Sequence, residues 1–551
     1  MAGGEGSRLK CISGNLPKPM VAVCGKPILQ YQIEHLRENG IRDIFLVIGH
    51  LGQAIQDYFG DGSAFGVHIQ YYFEDHPMGT AGALYELRKE LSEDFILLMG
   101  DLMLDVDFRR FAAFHQECGG LVTLFVHPNA HPYDSDIIET ATAENVSDYD
   151  EAHCGEQAFS AYLKQDGGTA EALGVQADLA ETVSHAYARV TGVLGKKEAR
   201  TAFYHNQVNA GIYMISPKAL LNMKEPKSRE SIEEALSEAR RKAHVLSEEE
   251  EKRILKSGKV DLDRDLIRPL IAEGQVYAYR STEYVKDMGT PDRYEAVQRD
   301  LENGTVASRN LKNPQKCIFL DRDGTINALN GFVKSPEALS LLPGAAEAIA
   351  RINRSEYLCI VITNQPVVAR GECSLSGLDC IHAKLETELG KAGAYIDGLY
   401  FCPHHTDKGF AGEIAELKFN CGCRKPKPGM LFKAAAEHHI DLSKSWFIGD
   451  SPQDAACGNA AGTKTAMIAA EEILPGRLKK QEENVSVQTA GGVRNADKIQ
   501  TSDKVQTEDK MQTPVKVQTP VKVQTEDKGQ TADILCASLP EAVSRIFDSF
   551  H

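Results

Sequence analysis

Residues 317–327 read CIFLDRDGTIN: four apolar residues, two carboxylates one residue apart, then glycine. Four apolar residues without alternation suit a strand buried on both faces, as in a parallel sheet. Asp321 and Asp323 then sit on the turn that leaves the strand. Carboxylates at i and i+2 there can share one magnesium ion, or divide the roles of nucleophile and proton donor. A lone pair of this kind is usually a solvated turn, but three more elements follow in order. Thr363 and Asn364 close the next apolar run, LCIVIT at 358–363, and offer a hydroxyl and an amide to phosphate oxygens. Arg424 and Lys425 supply fixed cations before a proline-led helical pattern, PGMLFKAAAEHH. Gly449 and Asp450 end SWFIG (445–449) and offer a further metal carboxylate, with Asp454 behind it. With YIDGLYF (395–401) and TKTAMI (463–468), these strands alternate with helical patterns. That order predicts a parallel α/β sheet with its ligands at the strand C-terminal ends.

At 551 residues the chain exceeds one core and predicts two or more domains. The 42% hydrophobic and 7% aromatic content is that of a globular protein. A formal net charge of −17 argues against nucleic-acid or anionic-membrane partners, which need a basic footprint. Thirteen cysteines with no secretory leader read as reduced thiols plus a metal site, hence a cytoplasmic protein. No apolar run approaches the ~18 residues that span a bilayer.

The polar stretch 301–315 (LENGTVASRNLKNPQ) is read as a linker between a first half, 1–300, and a second, 316–470. Residues 143–186 and 226–257 look like insertions into the first half. Six hexads from 497 to 532, DKIQTS to DKGQTA, lack a stacked apolar set. Disorder is favoured over a β-helix for 471–532, and DILCASLPEAVSRIF in 533–551 is expected to close the second half.

Cys402-Pro-His404 and Cys421-Gly-Cys423 bracket a loop in a polar context. Two close pairs of soft ligands suit a closed tetrahedral zinc site that staples a loop lacking its own core. His405 is the alternative ligand if His404 faces phosphate.

The order DxDGT, T-N, Lys and GD resembles the haloacid dehalogenase superfamily of phosphatases. That likeness implies in-line attack by Asp321 on phosphorus, with Asp323 as proton donor and then base. Thr363 and Lys425 would hold the phosphoryl group, and Asp321, Asp323 and Asp450 the magnesium. FLDRDGTIN, ITNQPVVARGE, FCPHH, CGCRKPKPGM and IGDSPQDAACGNAAG together look like D-glycero-D-manno-heptose 1,7-bisphosphate 7-phosphatases, which also resemble histidinol-phosphate phosphatases. By that likeness Arg424, Asn364, Gln365 and the stretch Leu329, Asn330, Gly331 and Phe332 would read the substrate. Pro366 and Ser451 stand where the family usually has serine and often lysine, and they bear on the choice of sugar.

In the first half, Gly3, Gly4 and Gly6 form a loop that lets backbone amides approach phosphate, with Arg8 and Lys18 as cations. With EDHPMGTAGAL (74–84), LLMGD (97–101), NAGIYMIS (209–216) and VKDMGTPDRY (285–294), the half resembles sugar-1-phosphate nucleotidyltransferases. The likeness implies magnesium at Asp101 and Asp287, with the base and ribose at Gly79 and Thr80. It also implies sugar phosphate at Asn209, Gly211 and one of Lys196 or Lys197. In that family an apolar strand precedes the glycine loop, and this sequence opens at the loop. The resulting expectation is a gap in the sheet and weak or absent nucleotidyl transfer by these 551 residues.

The expected fold is therefore two doubly wound α/β domains: a Rossmann-like nucleotidyltransferase sheet, then a haloacid dehalogenase-type sheet with a zinc loop. The expected function is bifunctional: dephosphorylation of a heptose 1,7-bisphosphate, then nucleotidyl transfer from a nucleoside triphosphate, GTP favoured, to heptose 1-phosphate. Its rivals are a phosphatase whose first half is a defective or sensing module, and a histidinol-phosphate-type phosphatase.

Overall fold

The structure is a computed structural model that describes residues 12, 14, 16–49, 51–141, 188–196, 198, 200–242, 247–329, 331–469, 523–524 and 531–549. Gly3, Gly4, Gly6, Arg8, Lys197, Asn330, the insertion 143–186 and most of 471–532 therefore lie outside the described residues. The second insertion, 226–257, contains two helices, Arg229–Lys242 and Glu248–Ser257.

In the first half, strands β1 (Asp43–Ile48) and β2 (His68–Phe73) pair in parallel. A separate mixed sheet holds β3 (Phe95–Leu98), β5 (Val122–His127), β6 (Ile137–Thr140), β7 (Val190–Leu194), β8 (Val208–Ile215) and β9 (Val276–Arg280). Its order is β9-β5-β8-β6-β7, with β3 pairing the end of β8. An antiparallel ribbon joins β4 (Leu102–Asp105) to β10 (Tyr284–Asp287). An apolar cleft of about 630 Å³ lies between β1 and β3, lined by Leu36, Leu46, Val47, Ile96 and Ala112 among others.

Residues 301–315, expected as a linker, are built into the protein. Helix Pro291–Glu302 runs into them, Thr305–Ser308 is helical, and Arg309, Asn310 and Gln315 are buried. Most of their polar groups have partners, which is what makes burial tolerable, although Gln315 Oε1 has none among the described residues. Gln315 donates to the carbonyls of Ser308, Asn310 and Asn313, and Arg309 to the carbonyl of Tyr357. Turn-rich composition signals a break in hydrophobic patterning, but it does not say whether a neighbour covers the break.

The second half is one parallel sheet of six strands. They are β11 (Lys316–Leu320), β12 (Tyr357–Asn364), β13 (Gly398–Cys402), β14 (Trp446–Gly449), β15 (Lys464–Ile468) and β16 (Ile534–Cys536). The order is β13-β12-β11-β14-β15-β16, every pair parallel. Cys317, Ile318, Phe319 and Leu320 are completely buried, as an apolar run in mid-sheet requires. Each such aliphatic or aromatic side chain contributes about 1.5–3 kcal/mol on burial. Helices cover both faces: α1 (Ala345–Asn353), α2 (Leu375–Lys391), α3 (Gly429–His438), α4 (Pro452–Ala461) and α5 (Leu539–Asp548). α4 begins with a capping box between Ser451 and Asp454, and the Ser374 side chain caps α2. β16 and α5 come after a long excursion of chain, of which residues 523–524 and 531–532 form a short antiparallel ribbon.

Candidate functional site

β11, β12 and β14 all end on one side of the sheet, and they deliver Asp321, Thr363 and Asp450 to one place. Asp321, Asp450 and Asp454 have carboxylate oxygens within 4.8 Å of one another. Lys425 is buried beneath them and lies 2.6 Å from both Asp321 Oδ1 and Asp454 Oδ1, donating also to the carbonyl of Ile362. Three carboxylates against one ammonium leave net negative charge in a buried space, an arrangement a hard divalent cation would neutralise. Burial, reinforced by Asp454 and Asp323 and opposed by Lys425, pushes the Asp321 carboxyl up to about 7. Burial and Asp454 push Asp450 up to about 6. Lys425 moves the opposite way: burial works against its charge, but Asp321 and Asp454 raise it well above the ordinary lysine range.

The turn after Asp321 is tight for a steric reason. Gly324 has φ +87°, and a Cβ there would stand 1.9 Å from Asp450 Oδ2. Asp323 differs from the expectation that its carboxylate joins the metal cluster. It accepts from Arg322 Nε and Nη2 at 3.1 and 2.9 Å, from Asn327 Nδ2 at 2.9 Å and from Gln365 Nε2 at 2.8 Å. Asp454, not Asp323, shares the cluster, because three amide and guanidinium donors draw the Asp323 side chain aside. Gln365, expected to face substrate, is buried and links Asp323 to Thr363 Oγ1 at 2.8 Å. Asn364 likewise turns inward: it accepts from the Lys425 backbone N–H and donates to the Lys425 carbonyl. The residues left facing outward at the rim are Leu329 and Phe332, both exposed, with Gly331 between them in the left-handed region at φ +84°.

Beside Lys425 stands the soft-ligand cluster. Cys402, His404, Cys421 and Cys423 are all buried and bring their ligand atoms within 4.8 Å of each other. Cys402 Sγ is 3.5 Å from Cys421 Sγ, and His404 Nδ1 is 3.3 Å from Cys423 Sγ. Four soft donors at such spacing, on a loop with little core of its own, fit a four-coordinate metal of the zinc type. Hydrogen bonds from Cys402 and Cys423 hold the Cys421 thiol far below the usual range. His405 points elsewhere: its Nε2 is 3.1 Å from Arg370 Nη2. Arg424 donates to the His404 carbonyl at 3.1 Å, tying the two ligand pairs of the loop together.

In the first half, Asp287 pairs in register with Leu102, and the Met288 N–H donates to the Asp101 carbonyl, so the two expected metal carboxylates are neighbours. Lys18 pairs with Asp101. Asp287 is gripped by Arg293 Nη1 at 2.9 and 2.8 Å, and Arg293 Nη2 extends the chain to Asp134 at 2.7 Å and His131 at 3.1 Å. Burial opposes ionisation of Asp287, but Arg293 holds its carboxyl below the usual range. Gly79 at φ +95° packs where a Cβ would meet the Val260 carbonyl at 2.4 Å, and Thr80 Oγ1 accepts from the Leu262 N–H. Asn209 accepts from the Gly211 N–H at 3.0 Å, where the register of β8 against β5 shifts, and the Lys196 N–H donates to Asp136. Arg293 was missed as a site residue: it lies inside VKDMGTPDRY, but only the fold shows that its guanidinium meets Asp287.

The nucleotidyl transferase family model matches residues 1–304, and a HAD-hydrolase-like model matches 422–489. A D-glycero-beta-D-manno-heptose-1,7-bisphosphate 7-phosphatase of Pasteurella multocida (strain Pm70) is 37% identical over 154 residues, 28% of this chain and 81% of that protein. The protein of the same name from Escherichia coli (strain K12) is 34% identical over 161 residues, 29% of this chain and 82% of its own. Among solved structures, HddC from Yersinia pseudotuberculosis covers 54% of this chain and 96% of its own, at 18% identity and a TM-score of 0.34. Among the described residues no helix is long and apolar enough to cross a membrane.

Proposed function

Since this chain belongs to the nucleotidyl transferase family by its first half and to the heptose-bisphosphate phosphatases by its second, we propose that it performs two consecutive steps on one sugar. The second half removes the 7-phosphate of a heptose 1,7-bisphosphate. The first half joins the resulting heptose 1-phosphate to a nucleoside monophosphate taken from a triphosphate, GTP by preference. The observation that carries the reading is the cluster of Asp321, Asp450 and Asp454 over the buried Lys425.

In the phosphatase step a carboxylate oxygen of Asp321 attacks phosphorus in line, and the bond to the sugar oxygen breaks. The sugar oxygen takes its proton from Asp323. Asp323 then accepts a proton from water, whose oxygen attacks the phospho-aspartate, and inorganic phosphate leaves with Asp321 restored. Lys425 and the Thr363 hydroxyl neutralise and position the phosphoryl oxygens. Arg322, Asn327 and Gln365 fix the direction in which the Asp323 carboxyl faces. Asp321, Asp450 and Asp454 would hold magnesium, which supplies charge neutralisation at the phosphoryl group. Cys402, His404, Cys421 and Cys423 would hold zinc, which supplies rigidity to the loop that carries Arg424 and Lys425. At the rim, Leu329, Phe332 and Arg424 face the sugar.

Nucleotidyl transfer needs no protein nucleophile, because a sugar phosphate oxygen attacks the α-phosphorus and pyrophosphate leaves. Positioning and charge suffice. Asp101 and Asp287 would share a magnesium ion, Lys18 would face the phosphates, Gly79 and Thr80 the nucleoside, and Asn209 and Gly211 the sugar phosphate. A narrower reading, a phosphatase whose first half is a nucleotide-binding module, is kept for the apolar cleft of about 630 Å³ between β1 and β3.

One panel separates these readings. Phosphate release is measured from sugar bisphosphates and from histidinol phosphate, and pyrophosphate release from GTP with heptose 1-phosphate. The two-step reading expects release in the first and third arms. Preference for histidinol phosphate would overturn the substrate, and phosphate release without pyrophosphate would leave the narrower reading.

A further inference from the structure

The two halves meet along α2, the helix of the phosphatase half, and what it touches is the scaffold of the other half's site. The loop entering β8 lies on it. Thr387 Oγ1 accepts from the Tyr204 N–H at 2.9 Å and donates to the Tyr204 carbonyl at 3.0 Å. Glu386 accepts the next contacts: its Oε2 takes the Asn206 N–H at 2.9 Å, and its Oε1 lies 2.8 Å from His205 Nδ1. His205 Nε2 lies 3.0 Å from Asp379 Oδ1, about two turns earlier on α2. Asn206 is completely buried and passes the contact inward, exchanging hydrogen bonds with the backbone of Asn129 at 2.7 and 3.2 Å. Three residues further along the same chain is Asn209.

The far end of α2 reaches a second loop. Gly390 approaches Pro132 so closely that a Cβ on it would meet Pro132 Cγ at 2.6 Å. Pro132 opens the turn Pro132–Asp134, and Asp134 is the carboxylate that holds Arg293 on Asp287. One helix of the second half thus buttresses both the loop before Asn209 and the loop behind Asp287. Glu386 is 3% exposed and is a full charge; burial opposes its ionisation, yet Arg280 and His205 hold it down at about 2. A charged group at such a depth persists only where its partners are fixed. These contacts are more than a chance touching of two surfaces.

We propose that α2, through Glu386, Thr387 and Gly390, is a positioning element of the nucleotidyl transfer site, so that the first half is completed only by docking on the second. The inference rests on the reading of Asn209 and Asp287 as substrate and metal residues. It assigns no chemistry to α2, whose side chains act through Asn206 and Arg293. Coupling of this kind would give the fusion of the two halves a mechanical reason beyond their shared pathway.

The test uses the full chain with Glu386→Gln, which keeps the shape and removes the charge, and Gly390→Val, which wedges α2 from Pro132. Backbone amide exchange of residues 204–211 is followed by mass spectrometry, beside pyrophosphate release from GTP with heptose 1-phosphate. Phosphate release from the bisphosphate reports that the second half is folded. Faster exchange by about tenfold at 204–211, with β11 unchanged, is expected in both variants, together with a rise in KM for the sugar phosphate larger than the fall in kcat. Unchanged exchange and unchanged KM in both, with normal phosphate release, would overturn the proposal. Should the unsubstituted chain release no pyrophosphate, the reading of the first half fails, and the exchange comparison still decides whether α2 orders that loop.

Discussion

Replacing Gly324 by alanine tests the phosphatase site through geometry alone, without removing any reactive group. At φ +87° an alanine is strained by about 1–2 kcal/mol relative to glycine. Its Cβ would also stand 1.9 Å from Asp450 Oδ2, where ordinary contact is about 3.5 Å. Either the Asp450 carboxylate or the turn carrying Asp323 must therefore move by more than about 1 Å, and a displacement of that size at reacting groups costs about a hundredfold in rate. The strain alone should lower the melting temperature of the phosphatase transition by about 2–8 °C. The assay is inorganic phosphate release at saturating magnesium, with the melting curve recorded on the same sample. A rate within about threefold of the unsubstituted chain, at an unchanged melting temperature, would refute the placement of Asp450 against this turn.

Asp321→Asn should abolish phosphate release and leave the melting curve nearly unchanged, since the amide fits the same space; turnover within about tenfold of normal would remove the phospho-aspartate route. Cys421→Ser should lower the bound metal found by elemental analysis and speed amide exchange across 402–425; full metal content would show that the ligand set is wrong. For His205, burial lowers the affinity for a proton, but Glu386 and Asp379 raise it to about 10, against about 6.5 when unfolded. Its contribution to stability is therefore complete below about pH 6.5 and lost as pH rises toward about 10. The melting-temperature difference between the unsubstituted chain and His205→Asn should be larger at pH 6 than at pH 10; the opposite order would exclude a charged His205 in the interface.

The sequence of the second half declared its strands because buried parallel strands are short apolar runs, and CIFL, LCIVIT and SWFIG carry a polar residue at an end at most, never inside the run. The ligand types were equally legible: Asp321, Asp450, Lys425 and the Cys/His quartet are drawn from the few side chains that can do such chemistry. What could not be read was direction. Asn364 and Gln365 sit beside Thr363 in the sequence, but each amide has four hydrogen-bonding sites, and only the fold decides that Lys425 and Asp323 occupy them. The same holds for Asp323, whose neighbours Arg322 and Asn327 compete with a metal for one carboxylate. Residues 301–315 looked like a tether because polarity is visible in a sequence and its burial is not.

β16 and α5 have a consequence for how this half can be broken. Residues 534–536 hydrogen-bond along β15, and Leu539, Ala542, Val543 and Ile546 are buried, with Ser544 accepting from Arg351 of α1. The outermost strand of the sheet is thus written into the chain far downstream of its neighbour, so a cut between 470 and 530 would not separate a finished phosphatase from a dispensable tail. It would yield two pieces of one sheet, each carrying half of a seam. The shorter piece, as an amphipathic peptide, could be supplied again from outside. A stop in the message at the same place would be harsher, since it leaves β15 as a bare edge and α1 with an uncovered apolar face, inviting another copy to fill both.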